Sequence, residues 1–115
     1  MNKEILINSI VKENCDLRIV MDSLKITGLG IAFIVNSFNR VVGTITDGDI
    51  RKSILKNEDL SIPVKLIMTR DFVYLRDGCD RSDVLKLLDR KIQKIPVLDT
   101  KGFLIDIADS NYRFE

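Results

Sequence analysis

The chain has 115 residues and a formal net charge of +1, a length that suffices for one compact domain or two very small ones. A charge near zero without blocks of like sign removes the usual electrostatic argument for binding nucleic acid or an anionic membrane, and no apolar run reaches the ~20 residues of a membrane-spanning helix. The absence of histidine excludes Cys/His zinc sites and histidine-based catalysis, so no structural metal is expected.

Apolar patterns divide the first half of the chain into helices and strands. One helix carries Leu17, Val20, Met21 and Leu24 at the spacing of a single apolar stripe. The continuous apolar run that follows is typical of a strand covered on both faces. In chain order the predicted elements are an apolar lead-in over residues 1–13, a helix from Asp16 to about Thr27, strands over 31–35 and 40–46 separated by a turn over 36–39, and a helix that reaches about Asn57.

The second half has the same order of predicted elements. After a connector over residues 58–68 come a short strand over 71–75, a turn and a helix capped by Asp80 or Ser82. This helix carries Val84, Leu85, Leu88 and Ile92. It is followed by a strand over 95–98, a turn over 99–102 and a last strand over 103–107; the remaining residues are too few for a helix as long as the first.

The two halves form an internal repeat. Cys15-Asp16 aligns with Cys79-Asp80, and at the same offset the strand 31–34 aligns with 95–98. One extra residue in the first turn then brings Gly43 opposite Asp106. We therefore predict an α/β (α+β) protein of two β-α-β-β-α units, residues 1–61 and 62–115, related by a pseudo-twofold axis. Each unit alone would bury too little surface to be stable, so the two units should share a core.

Cys15 and Cys79 are the only cysteines of the chain. The repeat places them at equivalent positions of two separate units, so free thiols are expected rather than a disulfide. The segment Met1-Asn2-Lys3-Glu4-Ile5 also lacks the apolar core of a signal peptide. Together these features predict a cytoplasmic protein.

The most informative stretch is the strand-to-helix segment Val41–Lys52. Its β-branched strand ends in a hydroxyl and two carboxylates at the start of a helix, whose free N–H groups attract an anion such as phosphate. A threonine hydroxyl can donate to a phosphate oxygen, a carboxylate can accept from two sugar hydroxyls, and a glycine allows a flat base or another stretch of backbone to approach closely. The candidate binding residues are Gly43, Thr44, Thr46, Asp47 and Asp49.

Two other interpretations use the same residues. Any strand–turn–helix needs an N-cap, and Thr46 or Asp47 supplies one without a ligand. A twelve-residue calcium loop would place Asp47, Asp49 and Glu58 at its first, third and twelfth positions, but a lysine stands at the sixth position, where such a loop requires glycine. The calcium interpretation is therefore discarded, and the capping interpretation stays open.

Three motifs carry a resemblance to a known family. Ile95-Pro96-Val97-Leu98-Asp99, the segment from Val42 to Asp49 and the lead-in Leu66-Ile67-Met68-Thr69 look like those of a tandem pair of cystathionine-β-synthase (CBS) domains. The resemblance covers nearly the whole chain. It implies an adenine-nucleotide site in which Thr46 contacts phosphate and Asp49 holds the ribose hydroxyls.

The second unit departs from this pattern. Asp106 stands where the first unit has Gly43, Asp109 replaces Thr46 and Tyr112 replaces Asp49. An acidic side chain at a phosphate position repels the ligand. The resemblance therefore implies at most one standard site.

The resemblance also implies a function. A CBS pair senses AMP, ADP or ATP and modulates a catalytic domain in the same chain or in a partner, so this chain alone is not expected to be an enzyme. The motif Thr46–Lys52 looks like that of CBS pairs attached to sugar-phosphate nucleotidyltransferases. A homodimer is expected, since apolar helix surface remains that neither unit covers. The alternatives are a regulatory fragment of such a nucleotidyltransferase and a structural dimerisation module with an empty pocket.

Overall fold

The computed structural model describes residues 2–89 and 92–111. It contains four α-helices and six β-strands within these residues, and a 3-10 turn at Val64–Leu66. The elements are α1 (Lys3–Asn8), β1 (Ile10–Lys12), α2 (Leu17–Thr27), β2 (Ile31–Val35), β3 (Val41–Thr46), α3 (Asp47–Leu55), β4 (Leu75–Arg76), α4 (Arg81–Leu87), β5 (Ile95–Leu98) and β6 (Leu104–Ala108).

The strands form two three-stranded sheets with the same topology, in the orders β1-β2-β3 and β4-β5-β6. In each sheet the first strand pairs parallel to the middle strand, which pairs antiparallel to the third. A helix, α2 or α4, provides the crossover that the parallel pair requires. The predicted α+β class with two equivalent units is confirmed.

The strand registers correct one detail of the predicted repeat. Ile34 pairs with Gly43 just before an irregularity in the first sheet, and Val97 pairs with Asp106 just before the matching irregularity in the second. Gly43 and Asp106 are thus equivalent, as predicted. The extra residue of the first unit, however, does not lie in the turn between the antiparallel strands, because both turns have the same length. It lies between the capping residue of α2 and the start of β2.

A shared core joins the two units. Its buried members are Phe33, Val35 and Val41 from the first sheet and Leu98 and Ile107 from the second. Each unit also has a core of its own beneath its crossover helix. The apolar strand runs of the sequence therefore reflect strands with two covered faces.

Helix α2 begins and ends at the predicted residues. The Asp16 carboxylate accepts hydrogen bonds from backbone N–H groups in the first turn, and Gly28 ends the helix in the left-handed conformation at φ +67°. Its buried face differs from the predicted stripe, because Met21 is exposed and Ser23 is buried. The Ser23 hydroxyl donates to the backbone carbonyl of Asn8 at 2.6 Å, so a polar group replaces the expected apolar one.

Two elements of the second unit are shorter than predicted. The strand expected over 71–75 is reduced to Leu75–Arg76. Helix α4 is capped by Asp80 but ends at Leu87, and Leu88 is already extended. Apolar spacing continues past both ends because Phe72, Val73, Leu88 and Ile92 pack in irregular backbone rather than in regular elements.

The two cysteines are free thiols, each half-buried, as expected from the repeat. Burial raises the pKa of the Cys79 thiol, and the neighbouring Asp83 carboxylate raises it further. Among the described residues, no helix has the length and apolarity to cross a bilayer.

Gly43 is a close-contact position in strand β3. A Cβ atom there would lie 2.5 Å from the Met68 sulfur and 2.7 Å from its Cγ. Met68 is itself buried, with 8% of its surface exposed. The connector can therefore pack against β3 only because residue 43 has no side chain.

Gly43→Ala should destabilise the protein by about 1–3 kcal/mol, since the added methyl forces the buried Met68 side chain to move. Urea denaturation of the two proteins checks this value. Gly48→Ala is the matched control, because a Cβ at Gly48 meets nothing closer than 3.6 Å and its site is helical. It should be neutral or stabilising. Equal destabilisation by both substitutions would contradict the packing argument.

Candidate functional site

A cavity of about 860 Å³ lies between the two units. This volume falls within the ~300–1,000 Å³ range of small-molecule sites. Its walls come from both halves of the chain: Leu29, Gly30, Ile31, Thr44, Thr46, Asp47, Gly48, Asp49, Arg51 and Lys52 from the first, and Thr69, Asp71, Phe72, Val73, Ile92, Gln93, Lys94 and Pro96 from the second.

The polar edge of the cavity is the start of helix α3. Thr46 is the N-cap, and its hydroxyl accepts a hydrogen bond from the Asp49 backbone N–H at 3.3 Å. In return, Asp49 Oδ2 accepts from the Thr46 backbone N–H at 2.9 Å and from the Thr46 hydroxyl at 3.1 Å. This reciprocal arrangement is a capping box, and it fixes both side chains.

The capping box bears on both interpretations of this stretch. The capping role of Thr46 is confirmed, and Asp47 is the first helical residue rather than the cap. At the same time Thr46, Asp47 and Asp49 all border the cavity. The Thr46 hydroxyl proton is directed to Asp49, so a phosphate group would meet the Thr46 oxygen only after that bond rearranges. No described residue donates a hydrogen bond to Asp49 Oδ1, which can therefore accept from a ligand.

Gly43 and Thr44 have different surroundings from Thr46 and Asp49. Thr44 borders the cavity, and its backbone exchanges hydrogen bonds of 3.0 and 2.8 Å with Thr69, the residue that follows the connector. Gly43 does not border the cavity. The group that approaches Gly43 closely is the Met68 side chain, so Gly43 has a role in packing, and its part in binding a ligand stays a prediction.

Gly30, between α2 and β2, is a site residue that the sequence patterns did not single out. Its carbonyl accepts from the Asp47 backbone N–H at 3.1 Å, and its φ of +74° favours glycine. A Cβ at Gly30 would lie 3.2 Å from Asp47 Oδ2. Gly30 thus places the start of β2 against the start of α3. The sequence signal that could have indicated this role is that Gly30 is the second of two glycines after α2, beyond the one that ends the helix.

The wall from the second unit was also missed. Phe72, Val73, Ile92 and Pro96 supply apolar surface that suits a flat ring, and Asp71 and Lys94 supply charge. These residues are remote in sequence from the α3 start. They reach it because Thr69 pairs with Thr44 and because the two sheets share a core.

The second unit has an ion pair at the position equivalent to the Thr46 site. Continuing the register of β5 and β6 by one residue pairs Lys94 with Asp109, as Ile31 pairs with Thr46 in the first sheet. Lys94 Nζ lies 2.8 Å from Asp109 Oδ2. This hydrogen bond, aided by one from the Asn111 backbone N–H, lowers the pKa of Asp109. Tyr112, the predicted counterpart of Asp49, lies outside the described residues.

A smaller cavity of about 420 Å³ lies beside this ion pair. Asp109, Ser110 and Asn111 border it, together with Asp89 and Leu88. Within residues 2–89 and 92–111, no group of three or more acidic, histidine or cysteine side chains is arranged to hold a metal ion.

The family model of the CBS domain matches the chain twice, over residues 1–56 and 64–108. The chain therefore belongs to the CBS domain family and contains a tandem CBS pair. CBS pairs are regulatory modules that commonly bind adenine nucleotides.

Three curated relatives match most of the chain. An uncharacterised 17.7 kDa protein of Acidianus ambivalens is 31% identical over 86% of the chain and 60% of its own length. Arabinose 5-phosphate isomerase GutQ of Salmonella typhi is 36% identical over 74% of the chain, and inosine-5'-monophosphate dehydrogenase of Methanocaldococcus jannaschii is 32% identical over 76%. The chain spans only 28% and 16% of the lengths of these two enzymes.

Solved CBS proteins share the fold. The CBS domain protein PAE2072 from Pyrobaculum aerophilum, complexed with AMP, has a TM-score of 0.78 at 19% identity, covering 87% of this chain and 78% of that one. The CBS pair of protein MJ0100, in complex with 5'-methylthioadenosine and S-adenosyl-L-methionine, has a TM-score of 0.76 at 24% identity, covering 88% and 80%.

The Lys94–Asp109 ion pair should make a pH-dependent contribution to stability. Because the folded-state pKa of Asp109 is lowered, its contribution is present above the unfolded-state pKa and is lost as pH falls through the folded-state value. Asp109→Asn should therefore cost about 0.5 kcal/mol near neutral pH, since both side chains are about a quarter to a third exposed. The cost should become smaller at an acidic pH below the ordinary aspartate pKa of ~3.9 and should be lost once the pH has also passed the lowered folded-state pKa.

Urea denaturation at both pH values measures this difference. Lys94→Gln should have the same effect at neutral pH, because it removes the other member of the pair. Asp22→Asn is the control, because it removes the same negative charge at an exposed position. It should leave the free energy of unfolding unchanged. A cost for Asp109→Asn that persists in acid would show that the carboxylate charge is not the cause.

Proposed function

We propose that the large cavity binds an adenine nucleotide, AMP, ADP or ATP, and that the module transmits its occupancy to a catalytic domain. The observation that carries this proposal is the position of the Thr46–Asp49 capping box at the edge of a cavity with walls from both units. AMP in one fold relative and adenosyl compounds in another support an adenosine ligand.

Each part of the ligand has matching protein groups. The base would pack against Ile31, Phe72 and Pro96, which are apolar and come from both units. The ribose hydroxyls would donate to Asp49, whose two hydrogen bonds from Thr46 both go to Oδ2. The phosphate would lie near the N-terminus of α3, where the helix dipole and the nearby Arg51 favour an anion; the Asp47 and Asp49 N–H groups would exchange their present acceptors, the Gly30 carbonyl and the Thr46 hydroxyl, for the phosphate.

Transmission follows from the shared walls. A ligand that contacts both units favours the arrangement in which both sets of contacts form, and it shifts the population only by its differential affinity for the two arrangements. The Thr44–Thr69 bridge connects the same two regions through the backbone. Binding at the α3 start can therefore alter how the connector and the second unit pack.

The regulated enzyme lies outside residues 1–115. GutQ and inosine-5'-monophosphate dehydrogenase show that similar sequences occur within longer enzymes of different activities. We propose that this chain likewise acts on a catalytic domain in cis or in trans in the cytoplasm, and that a sugar-phosphate nucleotidyltransferase is one candidate. Sequencing the parent reading frame past Glu115 tests whether such a domain is attached.

The ribose role of Asp49 predicts a selective loss of affinity. Asp49→Ala should weaken adenine-nucleotide binding at least tenfold, since a buried charge-assisted hydrogen bond contributes ~1.5–3 kcal/mol and ~1.4 kcal/mol is a factor of ten. Thr46→Ala should weaken it less, because it removes the hydroxyl acceptor of the Asp49 backbone N–H and so makes that N–H available to the phosphate. Isothermal titration calorimetry with AMP, ADP and ATP measures both effects.

A 2'-deoxynucleotide is the matched control. It should bind the wild-type protein more weakly than the ribonucleotide does, and this difference should vanish in Asp49→Ala. Because both substitutions also remove part of the capping box, each variant needs a melting curve; a cost of ~1 kcal/mol is expected from the cap alone. Equal binding of both sugars by the wild type would leave only the capping role for Asp49.

We also propose that the module is a twofold homodimer. Large apolar side chains on the outer surfaces of α2 and α3 are 46–76% exposed, namely Ile19, Ile26, Ile54 and Leu55. Apolar surface of this kind usually marks an interface. Light scattering at tens of micromolar should give twice the mass of the chain, and Leu55→Glu, on that surface, should shift the protein toward a monomer. A wild-type monomer at that concentration would contradict the proposal.

A further inference from the structure

Lys94 lies on a wall that is common to the large and the small cavity. With Ile92 and Gln93 it borders both of them. Its ammonium group is directed to the small cavity, where it lies 2.8 Å from Asp109 Oδ2. Asp109 borders only the small cavity, so the ion pair lies on the small-cavity side of this wall, whereas Lys94 also borders the large cavity.

The charge of the large cavity depends on this ion pair. Among the described residues, the acidic ones that border the cavity are Asp47, Asp49 and Asp71, and the basic ones are Arg51, Lys52 and Lys94. While Asp109 neutralises Lys94, the described acids outnumber the remaining described bases, which disfavours an anionic ligand. When Lys94 turns toward the large cavity, the charges balance.

We propose that the Lys94–Asp109 ion pair sets the ligand charge that the large cavity accepts, with Asp109 competing against a ligand phosphate for Lys94. This inference rests on the proposed adenosine-ligand function. A neutral adenosyl ligand binds without disturbing the pair. A phosphate-bearing ligand binds most tightly when it draws the lysine away, and it then leaves Asp109 without its counter-ion.

The geometry makes this exchange feasible. Lysine carries a compact charge on a flexible four-carbon stem, so its ammonium group can change partners without backbone movement. Both members of the pair are partly exposed, at 30% and 26%, and exposed pairs are weak. Since the pair lies in the second unit and Asp49 in the first, the exchange makes the second unit respond to the charge of the ligand.

The test compares AMP with adenosine, which differ in the phosphate, by calorimetry on the whole chain. Asp109→Asn should bind AMP about two- to fivefold more tightly than the wild type, with adenosine affinity unchanged. Lys94→Gln should weaken AMP binding and leave adenosine binding unchanged. Once Lys94 is replaced by Gln, adding Asp109→Asn should have no further effect. Asp22→Asn, which makes the same change in net charge away from both cavities, should not alter either affinity.

The outcomes separate this inference from the proposed function. Suppose that the wild type binds both AMP and adenosine. If Asp109→Asn then changes the two affinities by the same factor, or changes neither affinity, the charge-selection role is wrong and the proposed function stands. If the wild type binds no adenosine compound, the proposed function fails and this inference fails with it. If Asp109→Asn does not fold, the comparison of Lys94→Gln with the wild type decides alone. If the ratio of AMP to adenosine affinity is the same in these two proteins, the proposal is overturned.

Discussion

The packing of the two sheets against each other is the constraint on which the site depends. Phe33, Val35 and Val41 meet Leu98 and Ile107 in a core that neither unit could bury alone. Each fully buried side chain of this kind contributes roughly 1.5–3 kcal/mol relative to an exposed one. A hydrogen bond of 2.9 Å from the Val41 N–H to the Gly102 carbonyl adds a polar link between the units. The cavity exists because this contact holds its two walls at a fixed separation.

Within that frame, the polar edge of the site is ordered by its own hydrogen bonds. Asp49 and Thr46 satisfy each other through three hydrogen bonds, so neither side chain has to be immobilised when a ligand arrives. Pre-organisation of this kind lowers the entropic cost of binding. The same bonds have a consequence for chemistry, because the threonine hydroxyl is already a donor to a protein carboxylate. Two backbone N–H groups in the first turn of α3 are engaged as well, that of Asp47 with the Gly30 carbonyl and that of Asp49 with the Thr46 hydroxyl, so an anion would be attracted first by the helix dipole.

The local part of this site could be predicted from the sequence, and the non-local part could not. The change from β-branched residues to Thr46-Asp47-Gly48-Asp49 signals a strand, a cap and a helix over a few residues, where local preferences decide. The facing wall depends on the Thr44–Thr69 bridge and on sheet packing, which no short window of sequence encodes. The predicted lengths of β4 and α4 were too long for a related reason. Apolar residues such as Phe72 and Leu88 can be buried without being part of a regular strand or helix.

The contact between Gly43 and Met68 has a consequence for how this chain can vary. The two residues occupy a space that cannot hold both a Cβ at position 43 and the thioether at position 68. A relative that carries alanine or serine at the equivalent of Gly43 would need a smaller or differently shaped residue at the equivalent of Met68. The two positions should therefore substitute together across homologues, and Asp106, which stands at the equivalent place in the second sheet, marks the point where the repeats have already diverged in this respect.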